Sequence, residues 1–180
     1  MTFEEWEAVA KGTHATIYKA KYTQGIGKYC IKLYQKNWKT PFNLEKSAYE
    51  ALQAAGVEDV IPFVHGYACR TLSEWGMSDC EGDEDPYCGL VMDWLDAEPL
   101  SVFNIDIHNT CSLIRGLGEI HKAGVLHYDT FRRNMMVVPR TGQGIWIDFS
   151  CAKLNAGHAF ASELEDAAGV IIELVGFFFA

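Results

Sequence analysis

The stretch His127-Tyr128-Asp129-Thr130-Phe131-Arg132-Arg133-Asn134 decides how this sequence is interpreted. It follows a segment whose apolar residues recur at helical spacing until Gly124, and it precedes two short predicted strands, Met135–Val138 and 145–147. Asp148 comes directly after the second strand. An isolated aspartate in a loop is usually a turn or cap residue. The informative signal is therefore the spacing of a loop acid, an asparagine, a hairpin and a second acid.

This arrangement resembles the protein-kinase superfamily, whose catalytic loop H-R-D-x-x-x-x-N is followed by a hairpin and a metal-binding D-F-G. Here residues 127–134 read H-Y-D-T-F-R-R-N and residues 148–150 read D-F-S. Phosphoryl transfer needs a carboxylate to orient the attacking hydroxyl and hard oxygen ligands to hold Mg²⁺. The resemblance implies that the catalytic residues are Asp129, Arg133 and Asn134 and that the magnesium ligands are Asn134 and Asp148.

The amino-terminal half contains the matching nucleotide-binding pattern. Tyr29-Cys30-Ile31-Lys32 alternates as a strand and resembles the family's V-A-I-K segment, whose lysine holds phosphates and pairs with a helix glutamate, here Glu45. Residues 90–95 resemble the strand and hinge that bind adenine through backbone groups. The resemblance implies ATP contacts from Gly12, Ile17, Cys30, Lys32, Glu45, Met92, Asp93 and Leu95.

Strands dominate the first half of the chain and helices the second, which predicts an α+β, protein-kinase-like bilobal fold. We expect a single domain, 1–180, with a β-rich N-lobe and hinge over about 1–95 and a truncated α-helical C-lobe over about 96–180. In the first half we expect a hairpin over 6–22, a strand over 29–34, a helix from Thr40-Pro41 to Gly56, and strands over 60–68 and 89–95 that are separated by an acidic surface loop over 78–86. In the second half we expect a helix from Ile107 to Gly124, a hairpin over 135–147 and a helix from about Ser162.

Several positions depart from the family pattern. Only Gly12 remains of the G-x-G-x-x-G loop, so the backbone is expected to approach phosphates less closely. Phe131 stands where serine/threonine kinases carry a lysine, and Tyr128 stands where many protein kinases carry an arginine. Ser150 replaces the glycine of D-F-G, and residues 148–162 contain no A-P-E signature. Protein substrates therefore have no evident platform.

Three functions stay open. The leading one is an ATP- and magnesium-dependent phosphotransferase that acts on a hydroxyl of a protein or a small molecule. The rival is a pseudokinase, a nucleotide-binding interaction module without useful turnover. A third, an unrelated hydrolase using Asp129 and His127, would need an activated nucleophile, and the sequence has no G-x-S-x-G elbow. His121 and His127 are expected to brace the structure rather than bind metal.

The composition limits which binding partners and which cellular compartment we expect. A formal net charge of -9 at pH 7 disfavours nucleic acid as a partner. The six cysteines form no C-x-x-C pair, which predicts free thiols and a reducing, cytoplasmic or nuclear setting, and the amino terminus lacks a secretory pattern. The apolar run 167–180 is too short to cross a membrane and predicts a buried helix. Because Phe177, Phe178 and Phe179 would otherwise face water, a homodimer or another partner is expected to cover it.

Overall fold

The computed structural model describes residues 1–77, 85–156 and 159–176. In this part of the chain the fold is mixed α+β, with a five-stranded antiparallel sheet and three α-helices. Contacts divide the chain into two compact units. Unit 1 contains residues 1–46 and 63–94, and unit 2 contains residues 47–62 and 95–180.

The sheet of unit 1 has the strand order β1-β2-β3-β5-β4, and every neighbouring pair is antiparallel. Its strands are β1 (Phe3–Lys11), β2 (Ala15–Tyr22), β3 (Lys28–Tyr34), β4 (Val64–Arg70) and β5 (Tyr87–Asp93). The predicted hairpin and the predicted third strand are confirmed. The predicted strand over 60–68 is wrong at its start, because residues 60–63 are irregular and the strand begins at Val64.

The hydrophobic core of unit 1 lies on one face of this sheet. Ile31, Leu33 and Val91 are buried there together with Phe3 and Trp75. This confirms the alternation expected along β3, since residues two apart in a strand project from the same face. The residues between them, Cys30 and Lys32, must therefore project from the opposite face.

Helix α1 (Lys39–Ala54) begins one residue before the predicted Thr40-Pro41 start. Gly56 follows its end with φ +73°, a left-handed conformation that glycine adopts at little cost. Residues 39–46 group with unit 1, and residues 47–54 group with unit 2. Tyr49 and Leu52 are fully buried.

Unit 2 is built mainly from two helices, α2 (Ile107–Lys122) and α3 (Phe160–Gly176). Asp106 and Asn109 form a reciprocal capping box at the start of α2, which satisfies backbone N–H groups that the helix itself leaves unpaired. The strands of unit 2 are β6 (Glu98–Pro99), β7 (Val125–Leu126), β8 (Met135–Val138), β9 (Gln143–Trp146) and β10 (Lys153–Leu154). They form a three-stranded sheet in the order β6-β8-β9 and a two-stranded pair of β7 with β10.

The expectation that the cysteines are free thiols is wrong for one pair. Cys69 and Cys88 form a disulfide between directly paired positions of β4 and β5. They are 19 residues apart in the sequence, so a search for close cysteine pairs does not find them. Only the register of the two strands brings the sulfur atoms together. This pair weakens the argument from the cysteines for a reducing setting, because disulfides are rare in cytosolic proteins, and the setting itself stays a prediction.

Two further expectations concern surface and terminal segments. Among the described residues, no helix is long and apolar enough to cross a membrane. The helix expected at the carboxyl end is confirmed as far as Gly176. The expectation that it is buried is wrong for part of it, because Ala167, Ile171 and Leu174 are buried but Ile172 and Val175 are exposed. The described residues do not include residues 78–84 of the predicted acidic loop or Phe177, Phe178 and Phe179.

Candidate functional site

Four of the predicted ATP contacts share one face of the sheet in unit 1. Ile17 is opposite Lys32 in the β2–β3 pair, and Cys30 is opposite Met92 in the β3–β5 pair. Opposed residues in a sheet project from the same face, as do residues two apart in one strand. These four side chains therefore form a patch on the face opposite the hydrophobic core.

An ion pair joins this patch to α1. The Nζ of Lys32 lies 2.8 Å from the Oε2 of Glu45, and the two residues are 6% and 0% exposed. The hydroxyl of Tyr34 also donates a hydrogen bond to Glu45. Desolvating two charges is expensive, and removing one partner strands the other charge in the protein. The strand and the helix thus hold a buried ammonium group at a defined position.

The other predicted contacts in the amino-terminal half, Gly12, Asp93 and Leu95, lie at or beyond the ends of strands. Gly12 lies in the β1–β2 connection, where its N–H donates to the carbonyl of Ala15 at 2.9 Å. Burial raises the pKa of the Cys30 thiol to about 12, so this side chain stays protonated and acts as an uncharged group. Asp93 ends β5, and its carboxylate lies 2.6 Å from the Nε2 of His65. Leu95 follows and groups with unit 2.

The three predicted catalytic residues contact one another in unit 2. The Nη2 of Arg133 donates to both carboxylate oxygens of Asp129, at 2.8 and 2.9 Å. The Nδ2 of Asn134 donates to the backbone carbonyl of Asp129 and to its Oδ2, each at 2.8 Å. Both bonds from Asn134 use the amide nitrogen, so its Oδ1 is the atom that could take a metal ion. The loop therefore positions the Asp129 carboxylate from two sides.

Glu163 of α3 fixes the loop and was missed by sequence reasoning. Its carboxylate accepts hydrogen bonds from the backbone N–H groups of His127, at 3.0 Å, and Tyr128. It also lies 2.7 Å from the Nε2 of His121. Burial alone would raise the pKa of Glu163, but these hydrogen bonds outweigh it and the pKa falls below its usual value. The signal that could have identified it is an acid in the first turn of α3, where the helix dipole favours a negative charge.

His127 is a bracing residue and has no access to a substrate. It is fully buried, and its Nε2 lies 2.9 Å from the carbonyl oxygen of Ile147. Because a carbonyl oxygen only accepts hydrogen bonds, Nε2 carries the proton. Nδ1 is unprotonated and has no hydrogen-bond partner. Burial lowers the pKa of His127 and keeps the ring neutral. This geometry weighs against the hydrolase that pairs His127 with Asp129.

Asp148 is oriented by its own backbone and by Ser150. Its φ of +65° is left-handed, a conformation that costs energy in a residue with a side chain. Its Oδ1 accepts hydrogen bonds from the Ser150 hydroxyl at 2.6 Å and from the Ser150 N–H at 3.3 Å. The next residue, Phe149, is fully buried and packs against His127 and Tyr49. The buried ring therefore anchors the segment that presents the carboxylate.

The donors that the sequence assigns to magnesium are chemically suitable. Asn134 and Asp148 offer amide and carboxylate oxygens, the hard ligands that Mg²⁺ prefers. In the described part of the chain, no group of three or more His, Cys, Asp or Glu side chains could hold a metal ion. Two protein ligands are nevertheless enough for magnesium, because this ion usually keeps several waters and takes further oxygens from substrate phosphates.

A cavity of about 530 Å³ lies beside this loop within unit 2. Asp129 lines it, together with its neighbours Tyr128 and Phe131 and several residues of α3. The proposed catalytic carboxylate is thus placed at the wall of a concave space that is large enough for a small molecule.

Comparison with known proteins does not assign the chain to a family. No protein-family model and no curated protein matches it. The fold defines a mixed α+β protein, and the geometry of the two groups of side chains carries the functional argument.

Proposed function

We propose that this chain is an ATP- and magnesium-dependent phosphotransferase with a protein-kinase-like bilobal fold, and that it transfers the γ-phosphate to a hydroxyl group. The observation that carries the proposal is the contact of Asn134 with Asp129, at 2.8 Å, on a loop that Glu163 fixes to α3. An acid and an amide held together beside a cavity are the groups that phosphoryl transfer requires.

Each unit contributes side chains of suitable chemistry. In unit 1 the ammonium of Lys32, held by Glu45, would bind phosphate oxygens. In unit 2 Asp129 would orient the acceptor hydroxyl and take its proton, while Asn134 and Asp148 would hold magnesium. The positive charge of magnesium held by these residues would offset the negative charge of the phosphates.

A second function, a nucleotide-binding module without useful turnover, is favoured by one contact. Arg133 donates to both oxygens of Asp129, which competes with an acceptor hydroxyl for the same carboxylate. The single glycine in the connection between β1 and β2 also weakens the case for efficient phosphate binding. The two functions differ in turnover and not in nucleotide binding.

The substitutions Asp129→Asn and Asp148→Asn distinguish them. Magnesium-ATP binding is measured by calorimetry, and release of labelled phosphate from γ-labelled ATP is measured in the same preparations. For an enzyme, we expect Asp129→Asn to abolish turnover with affinity nearly unchanged, whereas Asp148→Asn should weaken binding and remove turnover. For the binding module, wild-type turnover is absent and only the loss of binding in Asp148→Asn remains.

Asp59→Asn is the matched control, since Asp59 is exposed and its side chain does not line the cavity. It should leave both quantities unchanged. If Asp148→Asn leaves magnesium-ATP binding intact, the assignment of residues 148–150 as a metal-binding segment is wrong.

A further inference from the structure

The cavity beside Asp129 has the size of a small-molecule site. Its volume of about 530 Å³ lies inside the range of about 300–1,000 Å³ that is typical of such sites. The loop residues Tyr128, Asp129 and Phe131 form one part of the wall, and α3 forms another. A compound seated here would lie next to the carboxylate that the proposed function uses as its base.

The part of the wall formed by α3 is strongly acidic. Glu165, Asp166 and Glu173 line the cavity and are exposed. Glu163 lines it too, but its carboxylate already accepts hydrogen bonds from His121 and from the loop backbone. None of the described lining residues is basic. A concave site lined by charge of one sign concentrates ligands of the opposite sign.

The aromatic residues of the loop offer apolar surface to a ligand. Tyr128 and Phe131 are 58% and 57% exposed although both line the cavity. Each ring already attracts a cation of the protein: the Nζ of Lys153 lies 3.5 Å from the Tyr128 ring centre, and the guanidinium carbon of Arg133 lies 4.7 Å from that of Phe131. Since the protein's own cations already lie over these rings, what the rings offer a ligand is apolar surface against which carbon atoms can pack.

We propose that this cavity binds the phosphate acceptor, and that the acceptor is a small hydroxyl compound carrying protonated amines. This inference rests on the proposed function and names the substrate class of the same site. Glu165, Asp166 and Glu173 bind the ammonium groups, and Tyr128 and Phe131 cover the carbon skeleton. The limited volume favours a small molecule over a protein segment.

The reaction follows from the position of Asp129. The acceptor hydroxyl oxygen forms a bond to the γ-phosphorus of ATP while its proton passes to the Asp129 carboxylate. The bond from the γ-phosphorus to the bridging oxygen breaks, and its electron pair leaves with ADP. The products are ADP, a phosphorylated amino alcohol and a proton, and no oxidant or reductant is needed.

The probes are 1,3-diamino-2-propanol, a dication with one hydroxyl, and glycerol, its neutral counterpart of similar size. Binding to the full chain is measured by calorimetry, and transfer is measured with γ-labelled ATP. We expect the diamine to bind and to accept phosphate, and glycerol to do neither. The double variant Asp166→Asn, Glu173→Gln should weaken diamine binding roughly fivefold, because two exposed charge interactions are lost.

The control variant Glu58→Gln, Asp59→Asn removes the same amount of charge from exposed positions that do not line the cavity. It should change diamine affinity less than about twofold, since only long-range, screened interactions are altered. Equal weakening in both double variants, or equal binding of diamine and glycerol, overturns the proposal. So does exclusive binding of a pentapeptide of four lysines around one serine, which would identify a basic protein segment as the ligand.

Magnesium-ATP affinity is measured in the same variants to separate the two proposals. If the chain binds magnesium-ATP but not the diamine, the acceptor class is wrong and the phosphotransferase proposal stands. If the diamine binds through the acidic residues while the chain does not bind magnesium-ATP, the phosphotransferase proposal fails and the acceptor role fails with it.

Discussion

At the scale of single residues, the protonation states of His127 and Glu163 hold the loop that carries Asp129. Burial lowers the pKa of His127, and its ring is neutral against the carbonyl of Ile147. Glu163 is ionised, since hydrogen bonds from His121 and from two backbone N–H groups overcome the effect of burial on its pKa. Folding lowers both pKa values, so at these two residues the unfolded chain binds protons more readily than the folded protein does.

The lowered pKa of His127 predicts a specific loss of stability in mild acid. The unfolded residue takes up a proton below about pH 6.5, whereas the folded residue resists protonation, so the free energy of unfolding falls as the pH decreases below that value. The slope contributed by one such group approaches about 1.4 kcal/mol per pH unit. Glu163 acts in the same direction at lower pH, since its stabilisation is present above its unfolded pKa and is lost as the pH falls through its folded pKa.

Urea unfolding between pH 7 and pH 5 measures this effect. His127→Asn should reduce the slope, even if it also lowers the stability at pH 7. His108→Asn, at an exposed position of α2, should leave the slope unchanged. An unchanged slope in His127→Asn would show that this ring is not buried in its neutral form.

At the scale of elements, the contact of β9 with α2 depends on the absence of a side chain at Gly144. The indole nitrogen of Trp146 donates to the carbonyl of Leu113 at 2.9 Å, and the N–H of Gly144 donates to the hydroxyl of Ser112, also at 2.9 Å. A Cβ on Gly144 would lie 2.5 Å from the Cγ of Leu113 and 2.9 Å from its backbone nitrogen. Strand and helix therefore pack at a distance that only glycine allows.

Gly144→Ala should destabilise the protein by about 1–3 kcal/mol, because the new methyl group meets the backbone of α2 and cannot be accommodated by a side-chain rotation. Gly118→Ala is the matched substitution inside α2, where a Cβ meets no atom within 4 Å. It should stabilise by about 0.5–1 kcal/mol, since alanine loses less backbone entropy in a helix. Chemical unfolding of both variants provides the measurement, and changes of the same sign would contradict this packing.

At the scale of the whole molecule, the proposed function needs side chains from both units. Unit 1 contains the buried Lys32–Glu45 pair, and unit 2 contains Asp129, Asn134 and Asp148. The chain has a formal net charge of -9 at pH 7, and free ATP is itself strongly anionic. Nucleotide binding should therefore require a cation that offsets the phosphate charge near the carboxylates.

ATP should raise the unfolding temperature only when magnesium is present. A ligand that binds the folded state stabilises it by about 2.7 kcal/mol at a hundredfold excess over Kd. Lys32→Met should reduce the magnesium-ATP shift, measured relative to the same variant without nucleotide, because the buried ammonium group is lost. Lys36→Met, at a lysine that pairs with Asp85 outside the sheet patch, should retain the shift. Equal shifts with and without magnesium, or equal losses in the two lysine variants, would argue against the proposed nucleotide site.

Local elements, and the residue types available for chemistry, could be read from the order of residues along the chain. Alternation along β3 identified the core face, and helical spacing identified α2, since these periods follow directly from backbone geometry. The order of acid, asparagine, hairpin and acid led to Asp129, Asn134 and Asp148. Such signals are readable because they depend on residues that are close together along the chain.

Contacts between distant parts of the chain became visible only in the folded protein. Glu163 accepts hydrogen bonds from the backbone N–H groups of His127 and Tyr128, which are 36 and 35 residues away in the sequence. The disulfide of Cys69 with Cys88 depends on strand register, and the acidic cavity depends on α3 lying beside the loop. Residue periodicity does not encode such contacts, because they arise from how separate elements pack and not from the conformation of any one of them.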